Sequence, residues 1–233
     1  SGRSNQCPGE DPEKDAVAMS SREVEAMVED FVAAAMRAER AGFDGVQLHG
    51  AHGYLLGQFL DARHNHRTDG YGGDLDGRMR PLLDVVEGVR AATGPDFQLG
   101  VRLTPEGTGI SLEEGVETAR RLLGSDLLDH LDMSLWDVFM RPRTGADGLL
   151  IEHFARLPRR RTALGVAGGV VSAADARWCL EQGADFVTVG TGAILHPAFR
   201  VRERPVSRED LRAESVGEAF LDYLAAGWDD LVA

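Results

Sequence analysis

From Ser20 onward the chain alternates between two apolar rhythms. Val24, Met27, Val28, Phe31, Ala34, Ala35 and Ala38 recur at spacings of one, three and four, the mark of one buried helix face. Ser20 or Ser21 is placed to cap this helix, Glu23 suits its first turn, where the helix dipole favours negative charge, and Gly42 supplies its stop. The short run 45–49 then reads as a strand. The unit repeats along the chain. Helical spacing at 75–92 precedes a strand at 98–103, and a helix at 111–123, capped by Ser111 with Glu113 and Glu114 in its first turn, precedes a strand at 128–134. A helix at 148–157 leads to a strand at 163–167, and a helix at 172–182, capped by Ser172 and stopped by Gly183, leads to a strand at 186–190. A last helix is expected at 209–225.

Short apolar strands alternating with longer helices predict an α/β fold with a parallel sheet and helical crossovers. The strands lack clean alternation, which predicts burial on both faces. Each ends in a polar or glycine residue: His49, Arg102, Ser134, Gly168 and Gly190. The carboxyl ends of parallel strands carry the chemistry in open sheets and barrels alike, so five strands are expected to deliver it to one rim. Residues 1–20 are polar, contain two prolines and lack periodicity, so they are expected to form a linker before a single domain over 21–233.

Charge narrows the picture. Among 233 residues the formal net charge is −13, which argues against nucleic acid as a partner because phosphate binding needs a basic face. No apolar run approaches the roughly 20 residues that cross a bilayer. The opening is polar and acidic, unlike a secretion leader. The expectation is a soluble, cytoplasmic protein. Two cysteines, Cys7 and Cys179, are too few for a disulfide framework or a thiolate metal site, and no metal is expected.

The stretch 44–60 holds the densest chemistry. His49 ends a strand, and His52 and Tyr54 follow in the next turn. Two imidazoles at that spacing can hold a carbonyl oxygen between their N–H groups and stabilise an enolate as it forms. Tyr54 is a weak acid within reach of such a site. Alternatively, one histidine is a satisfied core residue and the other faces solvent. Zinc is short of a third ligand.

AGFDGVQLHGAHGYLLGQFL followed by NHRTDGYGG closely resembles the old yellow enzyme family of FMN-dependent oxidoreductases. It is most similar to the branch with NADH:flavin oxidoreductase and 2,4-dienoyl-CoA reductase-like members. The likeness continues through LGVRLTP at 99–105, MSLWD at 133–137, GVAGG at 165–169, GADFV at 183–187 and HPAF at 196–199. The resemblance implies a TIM (β/α)8-barrel fold with FMN at the carboxyl rim, reduced by NADH or NADPH, and an enone or enoyl-type substrate whose activated C=C bond is reduced. It implies that His49 and His52 bind the substrate oxygen, that Tyr54 donates a proton and that Arg102 reaches the flavin ring. It further implies that Gly168, Gly169 and Gly190 cradle the FMN phosphate by backbone approach.

Three departures from the family pattern matter. The family usually follows the last strand's glycine with arginine, and this chain has Gly190-Thr191. Losing that charge-assisted contact should cost about 1.5–3 kcal/mol, while Thr191 keeps a neutral hydrogen bond to the phosphate. Asp61-Ala62 stands where Ser-Pro is common, and Gly77 where Asn precedes Arg78. The largest departure is extent: the five strands match the family's fourth to eighth, and residues 1–20 hold no counterpart to the first three. Five strands cannot close a barrel of eight. An incomplete barrel with an open, largely apolar inner face and two free strand edges is expected. Such a chain would be part of a longer protein, half of a barrel completed by a second chain, or a homo-oligomer that buries its open face. The alternative to catalysis is a non-catalytic or partner-completed subunit of a split flavin-binding barrel.

Overall fold

The computed structural model describes residues 5–10, 16–107, 109–195 and 207–213. Two short strands, β1 (Asn5–Cys7) and β2 (Ala16–Ala18), pair in parallel at the start. They fall inside the stretch expected to be a linker. Their residues are too few for a periodic signal, and Arg67 fixes them from outside, donating to the carbonyls of Pro8 (3.2 Å) and Met19 (2.5 Å).

Helix α1 (Ser21–Arg40) follows, opened by a reciprocal capping box between Ser20 and Glu23 and burying Val24, Met27 and Ala35. Strand β3 (Gly45–Gly50) leads to a one-and-a-half-turn helix, α2 (Leu55–Leu60). The repeating units are α3 (Leu75–Ala92) with β4 (Gln98–Leu103), α4 (Leu112–Leu123) with β5 (His130–Ser134), α5 (Leu150–Ala155) with β6 (Ala163–Ala167), and α6 (Ala173–Glu181) with β7 (Phe186–Thr188). A short α7 (Thr191–Leu195) follows, and α8 (Arg208–Ala213) falls at the start of the helix expected at 209–225, whose remainder lies outside the described residues. Helices α2 and α7 have too few turns to show a helical period.

The five main strands form one parallel sheet in chain order, β3-β4-β5-β6-β7. One face is fully apolar. Leu99, Val101, Leu131, Met133, Leu164 and Val166 are completely buried there, with Val85, Val86, Leu122, Leu123, Ile151 and Phe154 of the crossover helices in the same core. Burying such side chains yields about 1.5–3 kcal/mol each, which makes this layer the main source of cohesion.

The opposite face departs from expectation. It is neither buried throughout nor apolar. Register sets His49 beside Arg102, Arg102 beside Asp132, Asp132 beside Gly165 and Gly165 beside Phe186. Residues in register share a face, so polar side chains line what would be a barrel interior. Below this row, Gln47 Nε2 lies 3.1 Å from His130 Nε2. Two glycines make room. A Cβ on Gly100 would fall 1.9 Å from His130 Nε2, and one on Gly165 would fall 2.2 Å from the Phe186 ring.

Candidate active site

Three elements converge at the carboxyl end of β3. His49 is the penultimate strand residue. The chain then turns through His52, whose φ of 58° lies in the left-handed region. For a non-glycine residue this conformation costs about 1 kcal/mol or more and must be held by its surroundings. The His52 N–H donates to Thr104 Oγ1 at 2.8 Å, which anchors the turn to the end of β4. Tyr54 occupies the N-cap of α2. That helix sits close on the strand end because Gly57 has no side chain: a Cβ there would be 2.9 Å from the Gly50 carbonyl oxygen. The close seat brings Tyr54 to His49, with ring centroids 5.0 Å apart, while His49 and His52 are 5.1 Å apart. Tyr54 is 63% exposed, so its hydroxyl is open to an incoming molecule.

The second part of the site is a chain of polar contacts across the strands. Ser134, at the end of β5, places Oγ 2.6 Å from His52 Nε2 and accepts from Arg102 Nη2 at 3.2 Å. Arg102 Nε lies 3.7 Å from Asp132 Oδ2, near enough for an ion pair and too far for a hydrogen bond. Thr188 Oγ1 donates to the same carboxylate at 3.1 Å. Arg102 Nε and Asp132 Oδ1 are buried and have no hydrogen-bond partner among the described residues. Burial and then the Arg102 cation push the His49 imidazole below its ordinary 6.5. Burial, the Arg102 cation and His49 push His52 the same way, against an opposing pull from Asp132. Both rings are therefore neutral near pH 7, each with one N–H to donate and one bare nitrogen.

A cavity of about 530 Å³ reaches this cluster at His52 and Tyr54, and Trp136, Thr104, Glu106 and Arg143 also line it. Trp136 is held at φ 64° with its ring 5.6 Å from that of His52. The cavity admits a small organic molecule beside both His52 and Tyr54.

The glycines of interest lie at the ends of the last strands. Gly168 (φ 139°) and Gly169 (φ 64°) follow β6. A Cβ on Gly168 would lie 2.7 Å from the Trp136 carbonyl carbon, so the loop after β5 requires that glycine. Gly190 and Thr191 open α7, which packs against the loop after β6: a Cβ on Gly192 would be 3.1 Å from the Val170 carbonyl oxygen. Among the described residues, chain neighbours aside, nothing lies within 4 Å of where a Gly190 Cβ would stand. The structure thus gathers His49, His52, Tyr54 and Arg102 in one place and sets Gly168, Gly169, Gly190 and Thr191 along the neighbouring strand ends. Asp132, Thr188 and Thr104 were not singled out by sequence, and Ser134 was read only as a strand end. Their roles depend on register, which one strand's sequence does not encode.

Residues 5–205 match the family described as NADH:flavin oxidoreductase / NADH oxidase. The chain is 32% identical over 205 residues to the NADH oxidase of Thermoanaerobacter brockii, covering 83% of this chain and 31% of that protein. It is 35% identical over 217 residues to a Leishmania infantum protein described as "Probable flavin mononucleotide-dependent alkene reductase", covering 88% of this chain and 57% of the relative. Among solved structures, morphinone reductase in complex with tetrahydroNAD superposes with a TM-score of 0.64 at 33% identity, over 86% of this chain and 52% of the other. The chain therefore spans a third to rather more than half the length of these relatives. The sheet is the parallel α/β layer of a TIM-barrel-type fold, and with its family match running through every strand of that sheet, the chain belongs to the NADH:flavin oxidoreductase / NADH oxidase family.

Proposed function

We propose that this chain carries the substrate-binding part of an FMN-dependent oxidoreductase that reduces an activated C=C bond with electrons from NADH or NADPH. The observation that carries the reading is the neutral His49–His52 pair beside exposed Tyr54, with His52 and Tyr54 at the cavity wall and the Arg102 cation tied to His52 through Ser134.

The residues fit a flavin mononucleotide. Arg102, on the open face, has a buried Nε without a hydrogen-bond partner among the described residues, and a fixed cation there suits the electron-rich edge of a reduced ring. Gly168 and Gly169 have the backbone freedom to turn N–H groups outward, and no described residue other than its chain neighbours lies within 4 Å of where a Gly190 Cβ would stand. Thr191 would add a neutral hydrogen bond where the family has an arginine. Bound FMN would supply the hydride. The chain's own residues do the rest. His49 and His52 each offer an N–H to the substrate carbonyl oxygen, which polarises the alkene and stabilises the enolate oxygen as charge builds. Tyr54, close to His49 and open to the cavity, is placed to hand a proton to the α-carbon. Trp136 lines the cavity with its ring 5.6 Å from that of His52, and offers an apolar face to the substrate.

The partner is a small enone or enoyl-type molecule. A second reading makes the chain one component of a barrel completed by another copy or another chain, without catalysis of its own. The polar open face favours it, as do Arg102 Nε and Asp132 Oδ1, which have no hydrogen-bond partner among the described residues. Titration with a phenol, read by quenching of Trp136 fluorescence, tests the oxygen-binding pair. His49→Ala with His52→Ala should weaken binding at least tenfold, and unchanged binding would overturn the role of the pair. Enone turnover by the purified chain with FMN and NADH separates the two readings, since turnover that appears only on adding a second chain selects the second.

A further inference from the structure

Ser134 is 5% exposed, and its hydroxyl is fully accounted for by two neighbours, His52 Nε2 at 2.6 Å and Arg102 Nη2 at 3.2 Å. A guanidinium has donors and no acceptor, so Ser134 Oγ must accept from Arg102. The serine proton then needs an acceptor of its own, because a buried hydroxyl left unsatisfied costs about 1–3 kcal/mol. Among the described residues, His52 Nε2 is the only hydrogen-bond partner of that oxygen able to accept it. Were Nε2 protonated instead, the oxygen would face two donors and its proton would have none.

We infer that Ser134 is a positioning residue that fixes His52 as the neutral Nδ1–H tautomer, so that His52 offers Nδ1–H, not Nε2–H, as its hydrogen-bond donor. The contacts form a directed chain: Arg102 N–H to Ser134 oxygen, Ser134 O–H to His52 Nε2. A cation at the head of such a chain polarises each bond in it. The chain couples the residue assigned to the flavin with a residue assigned to the substrate oxygen. A protonated His52 would lose its acceptor nitrogen, leaving the serine oxygen between two cationic donors and the serine proton without its partner. The His52 backbone is independently held by Thr104, so Ser134 sets the ring's proton and not the course of the turn. The meaning of the freed Nδ1–H rests on the functional reading above, whereas the tautomer itself can be measured without substrate or flavin.

The experiment is a long-range proton–nitrogen correlation spectrum of the full chain, with His52→Gln used to assign the His52 ring. The expected result is a single neutral tautomer, with a proton on Nδ1 and a bare Nε2. In Ser134→Ala the single pattern should give way to a mixture, and the titration midpoint of His52 should move upward because Nε2 is released. Ser134→Thr, which keeps the hydroxyl, should restore the single tautomer. A proton on Nε2 in the unmodified chain would overturn the inference, and needs no variant to fold. So would a Ser134→Ala spectrum unchanged from the parent. Failure of phenol binding with the Nδ1–H tautomer intact would instead count against the functional reading alone.

Discussion

Arg102 and Asp132 stand in register on adjacent strands with Nε 3.7 Å from Oδ2, and each keeps one buried polar atom without a hydrogen-bond partner among the described residues. The carboxylate is 1% exposed and the arginine 24%. Such a pair gains little in stability from its geometry alone, because desolvation offsets much of the attraction. Its consequence is to hold a cation beside the histidine pair, where it helps keep both imidazoles neutral.

Replacing the carboxylate tests this. Asp132→Asn preserves shape and leaves Arg102 half-buried without its counter-charge. The expected loss is about 1–3 kcal/mol of unfolding free energy, below the range for a fully buried pair because Arg102 still reaches solvent. Asp132 is also the group that pulls His52 upward. The His52 midpoint should therefore fall further in the variant. Chemical denaturation and a proton NMR titration read the two effects separately, and an unchanged His52 midpoint would sever the link.

Stability should fall with acid in two steps. His49, His52 and His130 are all lowered, with burial the leading cause in each. As pH drops through about 6.5 the unfolded chain binds these protons first, so stability declines from there downward. Asp69 supplies the second step. Chiefly the Arg67 guanidinium, helped by the Ser21 hydroxyl and the Tyr71 N–H, takes it from 3.8 to about 2. A depressed carboxyl stabilises the fold above the unfolded value and loses that contribution as pH falls from about 4 toward 2. Asp69→Asn should shrink the lower step, to which the solvent-accessible Glu117, also taken to about 2 by Arg120 and Arg121, adds less, and leave the upper one. Denaturation midpoints measured across this range decide it.

Gly115 lies inside α4, where alanine would normally add about 1 kcal/mol of helix stability. Here a Cβ would fall 1.8 Å from the Pro105 carbonyl oxygen, a backbone atom that cannot swing aside. Gly115→Ala should therefore destabilise the protein by about 1–3 kcal/mol net. A rise in melting temperature would show that the loop after β4 yields more easily than its packing suggests.

The five parallel strands were legible because their outer face is apolar enough to read as short runs between helical periods. Leu99, Val101, Leu131, Met133, Leu164 and Val166 carried that signal. The inner face was misjudged for a related reason. Gln47, His49, Arg102, His130 and Asp132 are spread over three strands, and only register shows them to be one surface. The same limit hid Asp132 and Thr188, and it hid the contacts of Ser134. His49, His52 and Tyr54 were visible because they lie within six residues of one another, where a local motif suffices. Strands β1 and β2 are three residues each, and the contacts that pin them come from Arg67, far along the chain.

Thr191 offers the sharpest test of the cofactor reading. It opens α7 beside Gly190, and among the described residues, chain neighbours aside, nothing lies within 4 Å of where a Gly190 Cβ would stand. Thr191→Arg would restore the family's cation at the end of the last strand. A bidentate guanidinium–phosphate contact in place of one neutral hydrogen bond is worth about 1.5–3 kcal/mol. FMN affinity should therefore rise by roughly ten- to a hundredfold at low salt, and the gain should shrink as salt increases. Riboflavin, which has the ring and lacks the phosphate, should show no gain. Equal gains for both ligands would place the new arginine at the ring or the ribityl chain. No gain for either would mean that the phosphate does not lie at Gly190, and the assignment of Gly168, Gly169 and Gly190 to its cradle would fall with it.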